Sequence, residues 1–380
     1  MPWTQFNFDM KLKLLLTISA FLFINSLGAQ SARYLISGVV KDGSTGETLP
    51  LATVFLTGTT YGTTTDKDGF FELKVFEPGS YELVVRFVGF DTFVTPVQLL
   101  QPEAQAFEIV LQPESINLGS VEVTDKIDKE WRQNLATFKR EFLGTTENAA
   151  RCKILNEEQL NFFYNKGTRV LQAFFSEPIK IENKALGYTI DYYLEDFMID
   201  YKSNLIRYFG FTQFKDTKES NSNKKRFIKA RQKAYLGSRE HFFKALYDDQ
   251  LDEAGYEVMT ARDVEGLGRA VTARKVDLYD SLTDGKTSIS KVLSFTDFIY
   301  ITYTKELESQ AFTGSQGMNA SGNSSRLPQR SWIKLFDLSD PIRFEQNGYI
   351  INPISFQSNG YWGFEKVADM LPTNYELKEP

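Results

Sequence analysis

From residue 33 to residue 124 the sequence keeps a period of two that turn chemistry interrupts about every ten residues, and few folds can absorb that pattern. Phe71, Leu73 and Val75 alternate with Glu72 and Lys74, and Tyr81, Leu83, Val85 and Phe87 alternate with Glu82 and Arg86. Successive side chains of a strand point to opposite faces, so each run predicts a strand with one buried and one wet face. Gly43, Gly46, Gly69 and Gly79 fall where a turn calls for positive φ, and Pro50 and Pro78 preset their own φ at strand boundaries. Val121-Glu122-Val123 reads as a last short strand. The pattern predicts an all-β antiparallel sandwich over 33–124.

Beyond Thr124 the period lengthens to about three and a half. Trp131, Leu135, Phe138 and Phe142 share one stripe of a helix expected over 128–143, inside a linker of 125–146 that docks the sandwich onto the C-terminal part of the chain. Gly144 ends it. Residues 147–380 mix both periodicities and predict an α+β domain with a largely antiparallel sheet. Strands are expected over 188–195, 205–214, 292–303, 332–338 and 349–356. A helix is expected over 239–253, with Ser238 as N-cap, Phe243, Leu246, Tyr247 and Leu251 inward and Gly255 past its end. The polar stretches near 215–225 and 310–326 read as exposed loops. The chain is thus expected to be multidomain, a sandwich followed by an α+β unit.

Lys11 and Lys13, the apolar run from Leu14 to Ile24 and the ending Gly28-Ala29-Gln30 predict a secretory signal peptide over 1–29, with MKLKLLL from Met10 as its clean start. The apolar run is too short to span a bilayer of about 30 Å, and no cysteine stands near the cleavage point to make a lipoprotein. The export expected here would leave no transmembrane segment in the mature chain. A lone cysteine, Cys152, can form no disulfide within the chain and reads as a small buried hydrophobe. Charge is uneven: residues 31–124 hold 5 Lys/Arg against 12 Asp/Glu, whereas 125–380 hold 36 of each. An acidic sandwich argues against nucleic acid as its partner, because that affinity rests on neutralising phosphates.

Several short motifs in the first quarter carry a resemblance. Ser37-Gly38-Val39-Val40, Asp42-Gly43, Thr45-Gly46, Leu49-Pro50-Leu51-Ala52, Gly62-Thr63-Thr64-Thr65-Asp66, Asp68-Gly69-Phe70-Phe71, Pro78-Gly79-Ser80-Tyr81 and Phe87-Val88-Gly89-Phe90 resemble the carboxypeptidase-regulatory-like domain. That resemblance implies a prealbumin-like or starch-binding-like sandwich, normally an accessory and not a catalyst. Cys152-Lys153-Ile154-Leu155-Asn156, Ile181-Glu182-Asn183, Leu186-Gly187-Tyr188, Tyr235-Leu236-Gly237-Ser238, His241-Phe242, Gly360-Tyr361-Trp362 and Leu371-Pro372 resemble the part C-terminal to this sandwich in uncharacterised secreted bacterial proteins. In related architectures the sandwich precedes a TonB-dependent transporter, and Val121-Glu122-Val123-Thr124 resembles that joint. The residues after it are too few for a barrel of about 22 strands with its plug.

A zinc peptidase needs three protein ligands and an open water position, and a chain with one histidine, His241, and one cysteine cannot supply them. No cofactor or metal is therefore expected. Ser238 and His241 lack the G-x-S-x-G setting of a hydrolase and fit an N-cap with its first turn. Asp66-Lys67-Asp68-Gly69 reads as a hairpin turn, since position five of a calcium loop would be Phe70. Glu182, Asp191, Glu195 and Asp196 lie among aromatics and leave open a carboxylate-only glycoside hydrolase. Tyr61, Phe90 and Phe93 are candidate sugar or partner contacts. Lys224, Lys225, Arg226, Lys229, Arg231 and Lys233 form a run without an acid, either a solvated face or loop, or an electrostatic dock for anionic headgroups or an acidic sandwich. The expectation is a non-enzymatic binding or assembly protein in the periplasm or at the outer membrane, partnered by an envelope complex. A carbohydrate-binding protein and the carboxylate-only hydrolase stand as alternatives.

Overall fold

The computed structural model describes residues 34–114, 128–217, 221–261, 273–315 and 326–377. The expected signal peptide, the Val121–Val123 strand and most of the 310–326 loop lie outside these residues. No described helix is long and apolar enough to cross a membrane.

Seven strands build the sandwich: β1 (Tyr34–Asp42), β2 (Thr53–Leu56), β3 (Gly62–Thr64), β4 (Phe70–Val75), β5 (Gly79–Arg86), β6 (Phe93–Leu99) and β7 (Ala104–Leu111). They form two sheets, in the orders β4-β1-β7 and β3-β2-β5-β6. All pairs are antiparallel but one, since β7 returns to lie parallel to β1. The alternating residues meet as expected: Ile36, Val40, Val54, Leu73, Val75, Leu83, Val85 and Ile109 fill the core between the sheets. Gly46 and Gly69 have positive φ, whereas Gly43 and Gly79 do not, and Gly58 and Gly89 do. Asp66 Oδ1 accepts from the N–H groups of Asp68 and Phe70, both at 2.9 Å, so the Asp-Gly turn is closed by its own side chain. It is not the hairpin expected, because it carries the chain from β3 in one sheet to β4 in the other.

The helix α1 (Lys129–Phe142) starts at Asp128, whose Oδ1 accepts from Trp131 N at 2.8 Å. Its stripe does not dock the sandwich. Leu135, Phe138 and Phe142 pack on a six-stranded sheet of β8 (Cys152–Ile154), β9 (Asn161–Asn165), β10 (Val170–Phe174), β11 (Ile179–Asn183), β12 (Tyr188–Asp200) and β13 (Leu205–Asp216). Phe138 meets Phe197 at 4.7 Å between ring centroids, and Phe142 meets Tyr192 at 4.8 Å. The helix belongs to the C-terminal part because its aromatics match that sheet's aromatic face.

The stretch near 215–225 is not a loop throughout: β13 runs to Asp216, and α2 (Asn221–Tyr235) begins at Asn221. Its lysines, arginines and alanines are good helix formers, and Phe227 and Ala234 anchor it. The expected second helix is split into α3 (Arg239–Tyr247) and α4 (Leu251–Ala254), with Asp249 in the left-handed region between them. Ser238 caps α3 and Gly255 ends α4 at φ +94, both as expected.

A second core gathers Phe242, Phe243 and Leu246 of α3 with the strands after residue 255. A five-stranded sheet takes β14 (Tyr256–Ala261), β15 (Ala273–Lys275), β18 (Phe298–Leu307), β19 (Pro328–Leu335) and β21 (Phe356–Gly360); a three-stranded one takes β16 (Leu282–Asp284), β17 (Ser290–Leu293) and β20 (Ile342–Glu345). Short helices α5 (Gln310–Ser315) and α6 (Tyr361–Phe364) complete the order. The run expected as one strand over 292–303 breaks at Asp297, φ +65, and its halves enter different sheets. The strand expected over 349–356 is mostly a loop. Asn352 bonds there to Arg343 N, Asp340 Oδ1 and the Pro341 carbonyl, and β21 starts only at Phe356.

If α1 is a core element of the six-stranded sheet, Phe138→Ala lowers stability by about 3 kcal/mol or more. Urea denaturation of the full chain should show that loss, and a near-neutral result would return α1 to a linker role.

Candidate functional site

The outward face of β5 was expected to be wet, yet it is covered at Val84 and half-buried at Ser80, Glu82 and Arg86. Val84 and Phe55, which point away from the sandwich core, are fully buried against Tyr193 of β12 and Phe211 of β13. Phe55 stacks on Tyr193 with centroids 5.2 Å apart. At one end of β5, Arg86 lies 4.8 Å over the Tyr193 ring and 3.2 Å from Glu195. At the other end, Ser80 N donates to Glu345 Oε2 at 2.9 Å. The Glu345 carboxyl is buried with no partner for Oε1 among the described residues, and that burial raises its pKa. Glu82, between them, is also raised by burial.

The turn between β2 and β3 extends this seam through the backbone. Gly58 N donates to Thr212 O at 2.7 Å and Phe214 N donates to Thr59 O at 2.9 Å, so the turn adds a short parallel segment to the edge of β13. Thr212 N donates to Thr57 Oγ1 at 2.9 Å. Gly62 permits the approach, because a Cβ there would stand 1.9 Å from Gln213 Nε2. From the other side Thr373 N donates to Gly58 O at 2.8 Å, and Asn374 exchanges hydrogen bonds with Thr60. The segment bearing Thr373 reaches back across both C-terminal cores: Trp362 Nε1 donates to Gly237 O, Asn183 Nδ2 to Ala368 O, and Ala368 N to Leu143 O. The sandwich, the edge of β13 and the C-terminal segment therefore meet at one five-residue turn, which makes it the candidate assembly site.

The candidate sugar contacts are spent on internal packing. Tyr61, Phe90 and Phe93 pack against the sandwich core. The Tyr61 hydroxyl donates to Glu77, and burial then this carboxylate raise its pKa. Phe90 lies against Phe87, centroids 5.6 Å apart. Each acid of the carboxylate reading faces a cation: Glu182 pairs with Lys184 at 3.3 Å, Asp191 with Lys215 at 2.5 Å, Glu195 with Arg86 and Asp196 with Arg207 at 2.7 Å. Each carboxylate is thus engaged by a cation, whereas glycoside hydrolysis needs two carboxyls free to face one substrate.

His241 is a packing residue. Its Nδ1 accepts from Gly237 N at 3.2 Å and lies 2.9 Å from the Tyr256 hydroxyl, among the rings of Tyr235, Tyr256 and Tyr303. Burial foremost, then Lys305 and Lys244, lowers its pKa to about 4, so it is neutral at pH 7. Burial pushes the Cys152 thiol up to about 12, which keeps it un-ionised.

The basic run divides. Arg231 turns inward, its Nε donating to Leu186 O at 2.7 Å, with its guanidinium 3.7 Å over Tyr188 and paired to Asp216 at 2.8 Å. Lys224, Lys225, Arg226, Lys229 and Lys233 are exposed. Lys233 approaches Glu147 at 3.4 Å in a pair exposed on both sides, which contributes little.

Sequence reasoning missed two acids where the C-terminal segment crosses between the cores. Asp369 accepts from Thr146 Oγ1 at 2.9 Å and Asn148 Nδ2 at 3.0 Å. Burial still pushes its carboxyl up to about 6. Glu365 is held well above the carboxylate range by burial, then by Asp369 and Glu240, against the pull of Arg239. Isolated acids in a polar sequence give no signal of such a meeting.

This geometry has two measurable consequences. Phe55→Ala should uncouple the sandwich, turning a single calorimetric transition into two; one unsplit transition at unchanged temperature would contradict the seam. A carboxyl whose folded pKa is raised binds its proton more tightly when folded, so its contribution is fully present below about pH 4 and is lost as pH rises through the folded value. Glu365→Gln should therefore match the parent chain at pH 4 and melt higher than it at pH 8. A lower melting temperature at pH 8 would show that the ionised Glu365 is stabilising.

No curated protein matches the chain. Among solved structures, catechol 1,2-dioxygenase from Acinetobacter sp. ADP1 is similar at 10% identity over 24% of this chain and 55% of that chain, with a TM-score of 0.19. The shaft pilin SpaA from Lactobacillus rhamnosus GG is similar at 19% identity over 22% of this chain and 48% of that chain, TM-score 0.19. The group B streptococcus pilus 2b backbone protein is similar at 18% identity over 23% of this chain and 43% of that chain, TM-score 0.19. The chain thus spans about half the length of these structures or less. Residues 36–123 match the family model of the CarboxypepD_reg-like domain, so the N-terminal sandwich is a domain of that kind.

Proposed function

We propose that this chain is a non-enzymatic binding or assembly protein, exported to the cell envelope and working at the outer membrane. The observation that carries the reading is the seam along β5 and β2: the accessory sandwich is built onto the six-stranded sheet through Phe55, Val84, Tyr193 and Phe211 and is not a pendant module. A regulatory-like sandwich spent in this way serves as scaffold, and what it presents is the composite surface of three joined bodies. The ion pairs on Glu182, Asp191, Glu195 and Asp196 weigh against a carboxylate hydrolase. The internal packing of Tyr61, Phe90 and Phe93 weighs against a sugar platform on the sandwich.

Crosslinking in intact cells that make the protein, followed by pull-down, should recover a discrete envelope partner. Recovery of monomer alone, where known envelope complexes are captured, would overturn the reading. Robust binding of one defined sugar on a glycan array would replace it with the carbohydrate-binding alternative.

A further inference from the structure

The exposed cations of α2 form an ordered array. Lys225, Lys229 and Lys233 are spaced by four residues, so they share one face of the helix and rise about 6 Å from each to the next. Arg226 falls on the same side, and Lys224 is exposed at the N-terminal end. The opposite face holds the helix down. Phe227 lies against Gly187, where an added Cβ would stand 2.3 Å from its ring, and Ala234 is buried in the core of the six-stranded sheet. Arg231 bonds to the carbonyls of Leu186 and Gly187. The array is thus fixed to a rigid sheet, and among the described residues the carboxylates near the helix's cations are Asp216, taken by Arg231, the exposed Glu147, and Glu306 and Asp369, which feel the charge of Lys233 but are hydrogen-bonded to Gln329 and to Thr146 and Asn148.

From this arrangement we infer that the outer face of α2 is a docking surface for an anionic lipid bilayer, whose headgroup phosphates it meets by peripheral adsorption. The array is straight and turned outward, so its ammonium groups do not converge as a site for one discrete phosphate would require. An extended plane of negative charge suits it, and the positive end of the helix macrodipole adds to the field near Lys224 and Lys225. The rival occupant within reach of the same charge is the acidic sandwich of a second copy. Part of its acidity is neutralised at home, however: Glu108 pairs with Lys41, Asp68 with Lys67 and Glu72 with Lys74, while Glu77 is bonded to Tyr61 and Asp42 to Ser44 and Thr45. The face carries no large exposed hydrophobic residue, so adsorption is electrostatic and reversible, without insertion. This surface gives the envelope reading its contact with the membrane and rests on that reading for its setting.

The test is co-sedimentation of the full chain with phosphatidylcholine vesicles, with and without phosphatidylglycerol, at low and high salt. Binding should require phosphatidylglycerol and fall steeply with salt. At about fivefold per cation, Lys225→Ala/Lys229→Ala/Lys233→Ala should weaken it by about a hundredfold. A control, Lys67→Ala/Lys166→Ala/Lys286→Ala, changes net charge equally at exposed lysines elsewhere and should bind like the parent. Equal loss in both variants would reduce the effect to net charge and overturn the proposal. So would absence of binding to anionic vesicles, or self-association or duplex DNA binding that depends on the array while vesicles are ignored. Because this measures lipid alone, its failure leaves partner capture in cells as a separate result.

Discussion

The burial of Phe55 and Val84 against Tyr193 and Phe211 is the contact on which the rest of the architecture depends. Fully burying one such side chain contributes about 2 kcal/mol, whereas a part-exposed pair such as Arg86 with Glu195 contributes about 1 kcal/mol or less. Apolar packing therefore holds the two parts together, and the charged and backbone contacts set their register. The turn at Thr57–Tyr61 does this by completing the edge of β13, where an open strand would otherwise offer unpaired N–H and C=O groups. Gly62 has no side chain because Gln213 occupies the space one would fill.

The same closure explains where polar groups became difficult. Glu345 is buried where β20 meets Ser80, and its Oε1 has no partner among the described residues. Glu365 and Asp369 lie where the C-terminal segment crosses from one core to the other, and their proton affinity rises for the same reason. These are costs of joining three bodies. They are set against apolar contact and the several backbone hydrogen bonds of the segment from Trp362 to Asn374. The one histidine is neutral and ringed by tyrosines, so its chemistry is spent on packing.

The sandwich was legible because period two and turn residues act locally. Phe71, Leu73 and Val75 needed no knowledge of their partners to declare a buried face. The caps at Ser238 and Gly255 were legible for the same reason. What failed was non-local. The stripe of α1 announces burial without saying against what, so its docking on β12 and not on the sandwich could not be read. The 292–303 run is rich in β-branched and aromatic residues on both sides of Asp297, and the left-handed backbone at Asp297 divides it between two sheets. The 215–225 stretch looked like loop because its charges hide a helix whose apolar anchors, Phe227 and Ala234, come later. For the seam, Val84 and Phe55 break the alternation of their strands, a signal that the outward face is covered.

Hydrogen–deuterium exchange of the full chain tests the central claim most directly, because the N–H groups of Gly58, Thr212 and Phe214 make bonds only if the sandwich turn is seated on β13. The account predicts that peptides carrying these three amides exchange as slowly as the β12–β13 ladder. Rapid exchange there, beside a protected ladder and a protected sandwich core, would show two independent bodies and contradict it.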